Sequence, residues 1–212
     1  NSSDLPRMNA ESSAIKRLID RCFEHSIVFN LNQLLLDGGK HRPMHRFLSD
    51  VPSDSVIDLG CGPGNWVELA NRQYVGIDTS DSFIAACREK YGSDPNKRFL
   101  QADVATLEME ESFDLAMMIS VLHHLSDDQV AAAIDWAARH TRYLFVMDLY
   151  PIRQNPISRW LYAMDRGSHI REPDRQREIL TRSGRFRLVK DDDFYSWNRL
   201  YRHTMFLFES LQ

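Results

Sequence analysis

The sequence predicts an α/β protein with a doubly wound, mainly parallel sheet. Strand-like apolar segments alternate with amphipathic helical segments through the middle of the chain, as in sheets covered by helices on both faces. One of these segments, Ser55–Leu59, runs directly into a turn with Gly60, Gly62 and Gly64 at alternate positions. Glycine allows the backbone to approach a ligand closely, because no Cβ intervenes. We therefore expect a ligand cradle at the end of the first strand.

Apolar periodicity and turn residues predict the other elements of the chain. Helices are expected at residues 9–23, 28–36, 83–91 and 127–139, the last capped by Ser126, with a helix also starting at 65–70 and a lead-in at 41–48. Strands are expected at residues 55–59, 74–78, 98–104, 113–120, 143–148, about 185–191 and about 202–209, which makes a seven-stranded sheet.

The composition is that of an ordinary globular domain. The 212 residues are 43% hydrophobic and 26% charged, and the net charge of −4 disfavours general nucleic-acid binding. No apolar run has the length of a membrane span. Cys22, Cys61 and Cys87 are scattered, so neither a disulfide framework nor a zinc site is indicated. We expect a cytoplasmic protein without a metal ion.

The glycine turn is the first of several linked motifs. Asp58 precedes it, and Asp78 ends the next strand 20 residues later, the spacing of a carboxylate that binds ribose hydroxyls. Asp103 ends the third strand. A dinucleotide fingerprint would need another glycine where Asn65 stands. The pattern Asp-x-Gly-x-Gly-x-Gly resembles motif I of the class I S-adenosylmethionine (SAM) methyltransferases, and the linked motifs extend over about half the chain.

The resemblance implies a single SAM-dependent methyltransferase domain over residues 1–212. N-terminal helices (1–50) would form a lid, residues 51–148 would bind SAM, and an insertion after strand 5 (149–185) would cover the acceptor. The C-terminal strands (186–212) would form an antiparallel hairpin at the edge of the sheet.

Roles in cofactor binding are carried over from the family motif. Motif I would hold the amino-acid part of SAM, Asp78 the ribose and Asp103 the adenine, and a cation, Arg42 or Lys40, would meet the SAM carboxylate. The expected cofactor-binding residues are Asp58, Gly60, Cys61, Gly62, Asp78, Thr79, Phe83, Asp103, Val104, Ser120 and Arg42.

His123 and His124 follow strand 4, where the resemblance places the methyl group. A histidine there can act as a general base, because its pKa lies near working pH. The alternative is a pair of histidines that are exposed or pack on the turn. A metal site built from this pair is disfavoured, since neighbouring residues on an extended chain point apart.

The insertion is too long for a bare loop, and a helix is expected at residues 157–164. The segment from Arg153 to Arg187, which extends just beyond the insertion, contains nine arginines and four acids. Arginine suits a bidentate grip on phosphate or carboxylate. The alternative is a solvated helix face with ion pairs. The candidate substrate-binding residues are Asp148, Tyr150, Trp160, Arg166, His169 and Arg171.

Strand 4 is followed by Ser-Val-Leu-His (120–123), not by the Asn/Asp-Pro-Pro-Tyr/Phe pattern that the family uses for planar nitrogens. The leading hypothesis is therefore O-methylation, with a histidine base, of a small anionic acceptor such as a sugar or glycan intermediate, a nucleotide-linked metabolite or a natural-product precursor. One alternative is an RNA or carrier-protein methyltransferase. Another is a SAM-binding regulatory subunit without catalysis.

Overall fold

A computed structural model describes residues 39–152, 154–159 and 169–211. The described residues form one seven-stranded sheet with the strand order β3-β2-β1-β4-β5-β7-β6. The strands are β1 (Ser55–Leu59), β2 (Gln73–Asp78), β3 (Lys97–Gln101), β4 (Phe113–Ile119), β5 (Thr141–Pro151), β6 (Phe186–Tyr195) and β7 (Tyr201–Ser210). The predicted doubly wound sheet is confirmed.

The topology explains where a ligand can bind. Strands β1 to β5 pair in parallel, and the chain order reverses between β1 and β4. Ligands of open α/β sheets lie at such a switch point, beyond the carboxyl ends of the strands. Strand β7 is antiparallel to both β5 and β6, so the predicted C-terminal hairpin is confirmed, with β6 as the outer strand.

Helices cover both faces of the sheet. They are α1 (His41–Leu48), α2 (Asp81–Tyr91), α3 (Asp127–His140) and α4 (Pro173–Thr181). The N–H of Gln129 donates to Ser126 Oγ (3.3 Å), and the N–H of Ser126 donates to Gln129 Oε1 (3.0 Å), which confirms the predicted cap of α3. Among the described residues, no helix combines the length and apolar character needed to cross a membrane.

Two apolar cores result from this arrangement. On one face, Ile57 and Leu59 of β1 pack with Ile134 of α3 and Phe208 of β7. On the other face, Val56 and Tyr74 pack with Met44 and Phe47 of α1 and with Ile84 of α2. Strand β1 is buried on both faces, as expected for a central parallel strand. Burial of both faces fixes the register of the strands, and therefore the positions of the side chains at their ends.

The prediction that a helix starts at residues 65–70 is wrong. The segment is a turn followed by a short 3₁₀ helix, Val67–Leu69, whose bonds run from Leu69 N–H to the Trp66 carbonyl and from Ala70 N–H to the Val67 carbonyl. Only eight residues separate Gly64 from Gln73, so the chain has no room for several helical turns before β2. The helices predicted at 9–23 and 28–36 lie outside the described residues. The helix predicted at 157–164 is described only as a helical turn at 156–159.

Candidate active site

The glycine turn after β1 is held against β2. The N–H groups of Gly60 and Cys61 both donate to the carbonyl of Ile77, at 2.8 and 2.9 Å. Gly60, Gly62 and Gly64 all have positive φ, at 87°, 51° and 73°. A Cβ at Gly60 would lie 2.5 Å from Val121, whereas a Cβ at Gly62 would meet nothing within 4 Å. The open side of the cradle is therefore at Gly62.

Asp78, at the end of β2, is bonded to the cradle. Its Oδ2 accepts from the N–H of Gly62 (2.8 Å), and its Oδ1 accepts from the N–H of Ser80 (2.8 Å). An ionised carboxylate has about four acceptor sites. Asp78 can therefore accept two further donors, such as a pair of vicinal hydroxyls, without losing its bonds to the protein.

Asp58, at the end of β1, is fully buried. Tyr74 donates its hydroxyl to Oδ2 at 2.6 Å, while Oδ1 has no hydrogen-bond partner among the described residues. Burial raises the pKa of Asp58 to about 7, although the hydrogen bond from Tyr74 opposes this shift. A buried carboxylate oxygen without a partner favours a cationic ligand group beside it.

Ser120 follows β4 in a left-handed conformation (φ 56°). Its N–H donates to the Met147 carbonyl (2.8 Å), and its Oγ accepts from the ammonium of the buried Lys40 (3.1 Å). Arg42 is instead exposed in a groove that Arg46 and Lys190 also line. Of the two candidate cations, Lys40 is therefore the one at the switch point, whereas Arg42 lies in this groove.

The remaining cofactor candidates surround the ends of β2 and β3. Strand β3 stops at Gln101, short of the predicted 104. Asp103 instead caps a 3₁₀ helix, Val104–Thr106, by accepting from the Ala105 N–H (2.8 Å).

The other cofactor candidates differ in exposure. Val104 is buried, Phe83 is half-buried at the start of α2, and Thr79 is exposed. The Cys61 thiol is buried, so only the backbone of Cys61 can line the cradle.

His123 is buried at the end of β4 and contacts Asp148 of β5. Its Nδ1 lies 2.6 Å from Asp148 Oδ1, and Asp148 also accepts from the Leu149 N–H (2.7 Å). Burial by itself would raise the pKa of Asp148, but attraction to His123 and these hydrogen bonds outweigh it and lower the pKa. The carboxylate is therefore ionised and orients the imidazole. Such a pair can hold a proton acceptor in place beside a substrate.

The other candidates near this pair differ in exposure. His124 is exposed, and its ring centroid lies 4.1 Å from that of His123. His169 is also exposed, and its N–H donates to the His123 carbonyl (3.0 Å). Tyr150 is largely buried beneath the guanidinium of Arg202. Burial raises the pKa of Tyr150 to about 12, so its hydroxyl stays protonated. His123 is thus oriented by a carboxylate, whereas His124 is exposed.

Comparisons with known proteins identify the family. A family model described as a methyltransferase domain matches residues 56–143. Trans-aconitate 2-methyltransferase of Variovorax paradoxus is 30% identical over 183 residues, which covers 77% of this chain and 68% of that protein. The chain belongs to the class I SAM-dependent methyltransferases. Its methyl donor is SAM.

This methyltransferase is also similar to a second relative and to a solved structure. The tRNA (carboxymethyluridine(34)-5-O)-methyltransferase of Arabidopsis thaliana is 41% identical over 85 residues, covering 39% of this chain and 20% of that protein. The crystal structure of the N-methyltransferase NodS from Bradyrhizobium japonicum, in complex with S-adenosylhomocysteine (SAH), has a TM-score of 0.71 at 16% identity, covering 92% of this chain and 98% of that one. This second likeness shows the fold.

The residues of the methyltransferase cradle fit SAM. The space beside Gly62 can accommodate the amino-acid part of the cofactor, and the unpaired Oδ1 of Asp58 is a partner for its ammonium group. When bound, the sulfonium of SAM supplies an electrophilic methyl group. For transfer, an acceptor atom would have to lie in line with that methyl group.

Most of the described arginines in the arginine-rich segment of the methyltransferase form ion pairs with acidic side chains. The alternative interpretation of this segment, a helix face with ion pairs, therefore holds for the described residues. Arg159 is exposed, and Arg153 and Arg166 lie outside the described residues, as does Trp160. The pairs are Arg171 and Arg175 with Asp127, Arg177 with Asp191, Arg182 with Glu178, Arg185 with Asp135, and Arg187 with Glu209.

Arg171 has no donor left for an acceptor anion. All five of its N–H groups are engaged: two contact Asp127 Oδ1, and the others contact the carbonyls of Leu122, Leu125 and His169. The guanidinium is buried and pins the loop that carries His123. The expected role of Arg171 in substrate binding is therefore corrected to a structural role.

Sequence reasoning missed two residues on β7. Thr204 lies beside Asp148, with its Oγ1 3.2 Å from the Asp148 carbonyl and 2.6 Å from Gln176 Oε1. His203 is fully buried, and burial together with the positive charge of Lys40 holds its pKa well below the usual value, so its imidazole is neutral. Their position depends on the antiparallel register of β7, and no local motif marks it.

Proposed function

We propose that this methyltransferase transfers the methyl group of SAM to an oxygen atom of a small, anionic acceptor. The observation that carries the proposal is the buried His123–Asp148 pair, with Nδ1 and Oδ1 2.6 Å apart, at the carboxyl ends of β4 and β5. An imidazole oriented by a carboxylate is suited to removing a proton from a hydroxyl during transfer. Asp148 favours the tautomer with the proton on Nδ1, which makes Nε2 the basic nitrogen.

The acceptor's charge is inferred from relatives. Trans-aconitate, in the name of the Variovorax relative, is a carboxylate anion, and carboxymethyluridine, in the name of the Arabidopsis relative, also bears a carboxylate. The paired arginines of the insertion no longer support an anionic acceptor, so this part of the proposal rests on the relatives.

A carboxylate oxygen is a second candidate for the methylated atom, and it has different chemistry. A carboxylate is already ionised near neutral pH and needs no general base. In that case His123 would position the acceptor instead of removing a proton. Replacing His123 therefore separates the two candidates, since only a hydroxyl acceptor requires its basicity.

The test is a screen of acceptors with labelled SAM, using trans-aconitate, other di- and tricarboxylates, hydroxy acids, sugar phosphates and tRNA. We expect turnover on small anions. With a hydroxyl acceptor, His123→Gln should lower kcat by about 10²–10⁴-fold and remove the acid limb of its pH profile. With a carboxylate acceptor, the same variant should mainly raise KM. His140→Gln, at the end of α3, is the matched control.

Two outcomes would overturn the proposal. Turnover on tRNA alone, falling steeply with salt, would support the RNA-methyltransferase alternative, because phosphate contacts release counterions. SAH binding without turnover on any acceptor would support a non-catalytic SAM-binding subunit. Trp160 and Arg166 remain candidate acceptor-binding residues. Their alanine variants should raise the acceptor KM and leave SAH affinity unchanged.

A further inference from the structure

A cluster of metal-ligand side chains lies outside the active site described above. His41 and His45 stand one helical turn apart on α1, and Glu68 belongs to the 3₁₀ helix Val67–Leu69 that follows the glycine cradle. One ligand atom from each residue lies within 4.8 Å of the other two. His41 Nδ1 is already 3.4 Å from Glu68 Oε1. The arrangement combines two imidazoles at i and i+4 with a carboxylate.

The cluster can close around an ion by small side-chain rotations. Bonds of about 2.0–2.2 Å in a tetrahedral site place ligand atoms roughly 3.3 Å apart. The His41–Glu68 distance is near this value, and the side chains of His41 and Glu68 are 61% and 48% exposed, which leaves room to adjust. Trp66 packs against His41, with ring centroids 4.7 Å apart, and limits the orientations of that imidazole. His45 is exposed, and its ring centroid lies 6.4 Å from that of His41.

The cations near the cluster are directed elsewhere. Arg42 and Arg46 line the groove that also contains Lys190 and Asp192 of β6. The ammonium of Lys40 contacts Ser120. Because these groups face other parts of the protein, their charges oppose a cation at the cluster less than their sequence positions suggest.

We propose that His41, His45 and Glu68 bind a divalent first-row transition metal, with Zn²⁺ as the best match, and that water completes the coordination. Two imidazole nitrogens and one carboxylate oxygen suit Zn²⁺ and Co²⁺, whereas Mg²⁺ and Ca²⁺ require oxygen ligands. The ion would link α1 to the segment after the glycine cradle and so stabilise the cofactor site. The inference revises the expectation of no metal, which considered only cysteine spacing and the His123–His124 pair.

The experiment uses the full chain without a histidine tag, after treatment with a chelator. Titration calorimetry with Zn²⁺ should give a single tight site, and Co²⁺ should give the visible absorption of a tetrahedral complex. Mg²⁺ at the same concentration should give neither signal. Bound Zn²⁺ should raise Tm in proportion to the logarithm of its free concentration.

Matched variants assign the site. His45→Ala and Glu68→Gln alter exposed side chains and should fold normally, and each should weaken Zn²⁺ binding at least about tenfold. His140→Ala, which removes an imidazole stacked on Trp136 outside the cluster, should leave the affinity unchanged. The proposal is overturned if no tight site is found, or if His45→Ala and Glu68→Gln bind Zn²⁺ as well as the unmodified chain does.

Discussion

The cofactor side and the acceptor side of the sheet use their polar groups in opposite ways. At the ends of β1 and β2, Asp58 and Asp78 retain hydrogen-bonding capacity toward a ligand, and Gly62 leaves open space. Beyond β4, the most conspicuous charged group, Arg171, is fully satisfied within the protein. A charged residue in the sequence therefore marks a binding site only if the fold leaves it spare hydrogen-bonding capacity.

The largest effect is expected at the cradle. Gly62→Val would place a β-branched side chain at φ 51°, in the open space beside the turn, and SAH binding should become undetectable. Gly184→Val is the matched control, because Gly184 also has a positive φ (66°) and open space but lies in the turn before β6. Calorimetry with SAH and thermal unfolding measure the two variants. Equal loss of SAH binding in both would contradict the assignment of the cradle.

On the acceptor side, Arg171→Ala should reduce stability more than it affects binding. The change removes two charge-assisted hydrogen bonds to the buried carbonyls of Leu122 and Leu125, at a cost of about 2–4 kcal/mol in the free energy of unfolding. Arg175→Ala also removes a contact to Asp127, but from an exposed position, and should cost much less. Urea denaturation and SAH calorimetry are the measurements. If Arg171→Ala left the stability unchanged and raised the acceptor KM, Arg171 would bind the acceptor after all.

A smaller effect is expected for Asp78→Ala. The variant removes the carboxylate that is available to ribose hydroxyls and releases the N–H groups of Gly62 and Ser80. SAH affinity should fall by roughly tenfold to a hundredfold, or about 1.5–3 kcal/mol. Asp81→Ala, with the same change of charge at the exposed start of α2, should bind SAH normally. A similar loss of SAH affinity in both variants would mean that the change in net charge, and not the Asp78 contact, weakens binding.

The effect that is smallest at neutral pH is the pH dependence of SAH binding. Because the pKa of Asp58 is about 7 in the cofactor-free protein, SAH binding must displace a proton at lower pH. Affinity should fall by about tenfold per pH unit below 7, and Asp58→Asn should flatten this dependence. The raised pKa also means that the folded state takes up a proton that the unfolded chain binds only near pH 4. Stability without ligand should therefore decrease as pH rises from 4 to 7. A flat SAH affinity between pH 5.5 and 7.5 would contradict the assignment.

Local patterns predicted much of the cofactor side. The bounds of β1 were predicted without error, since a central parallel strand is a continuous apolar segment ended by glycine. The cap at Ser126 was predicted from the preference of serine for the position before a helix, and in the structure Gln129 completes a capping box there. Cradle residues lie close in sequence to the strands that position them, so motif spacing carries most of the geometry.

The acceptor side could not be predicted in the same way, because its partners are distant in sequence. Asp127 lies 44 residues from Arg171, and Asp191 and Glu209 belong to other strands, so a count of charges within the insertion missed them. The pairing of His123 with Asp148 depends on the register of β4 and β5. Thr204 reaches Asp148 only because β7 inserts between β5 and β6.

The position of β7 also affects the order in which the parts of the sheet fold. The cradle joins β1, β2 and β3, whose contacts span fewer than about 50 residues, whereas β5 pairs with a strand about 60 residues further along the chain. Contacts between distant segments form late, because closing a long loop costs entropy. Before Tyr201 and the rest of β7 have been synthesised, the β7 side of β5 is an unpaired edge. That edge can associate with strands of other chains. During synthesis, the cofactor side can therefore fold while the acceptor side is still an aggregation risk.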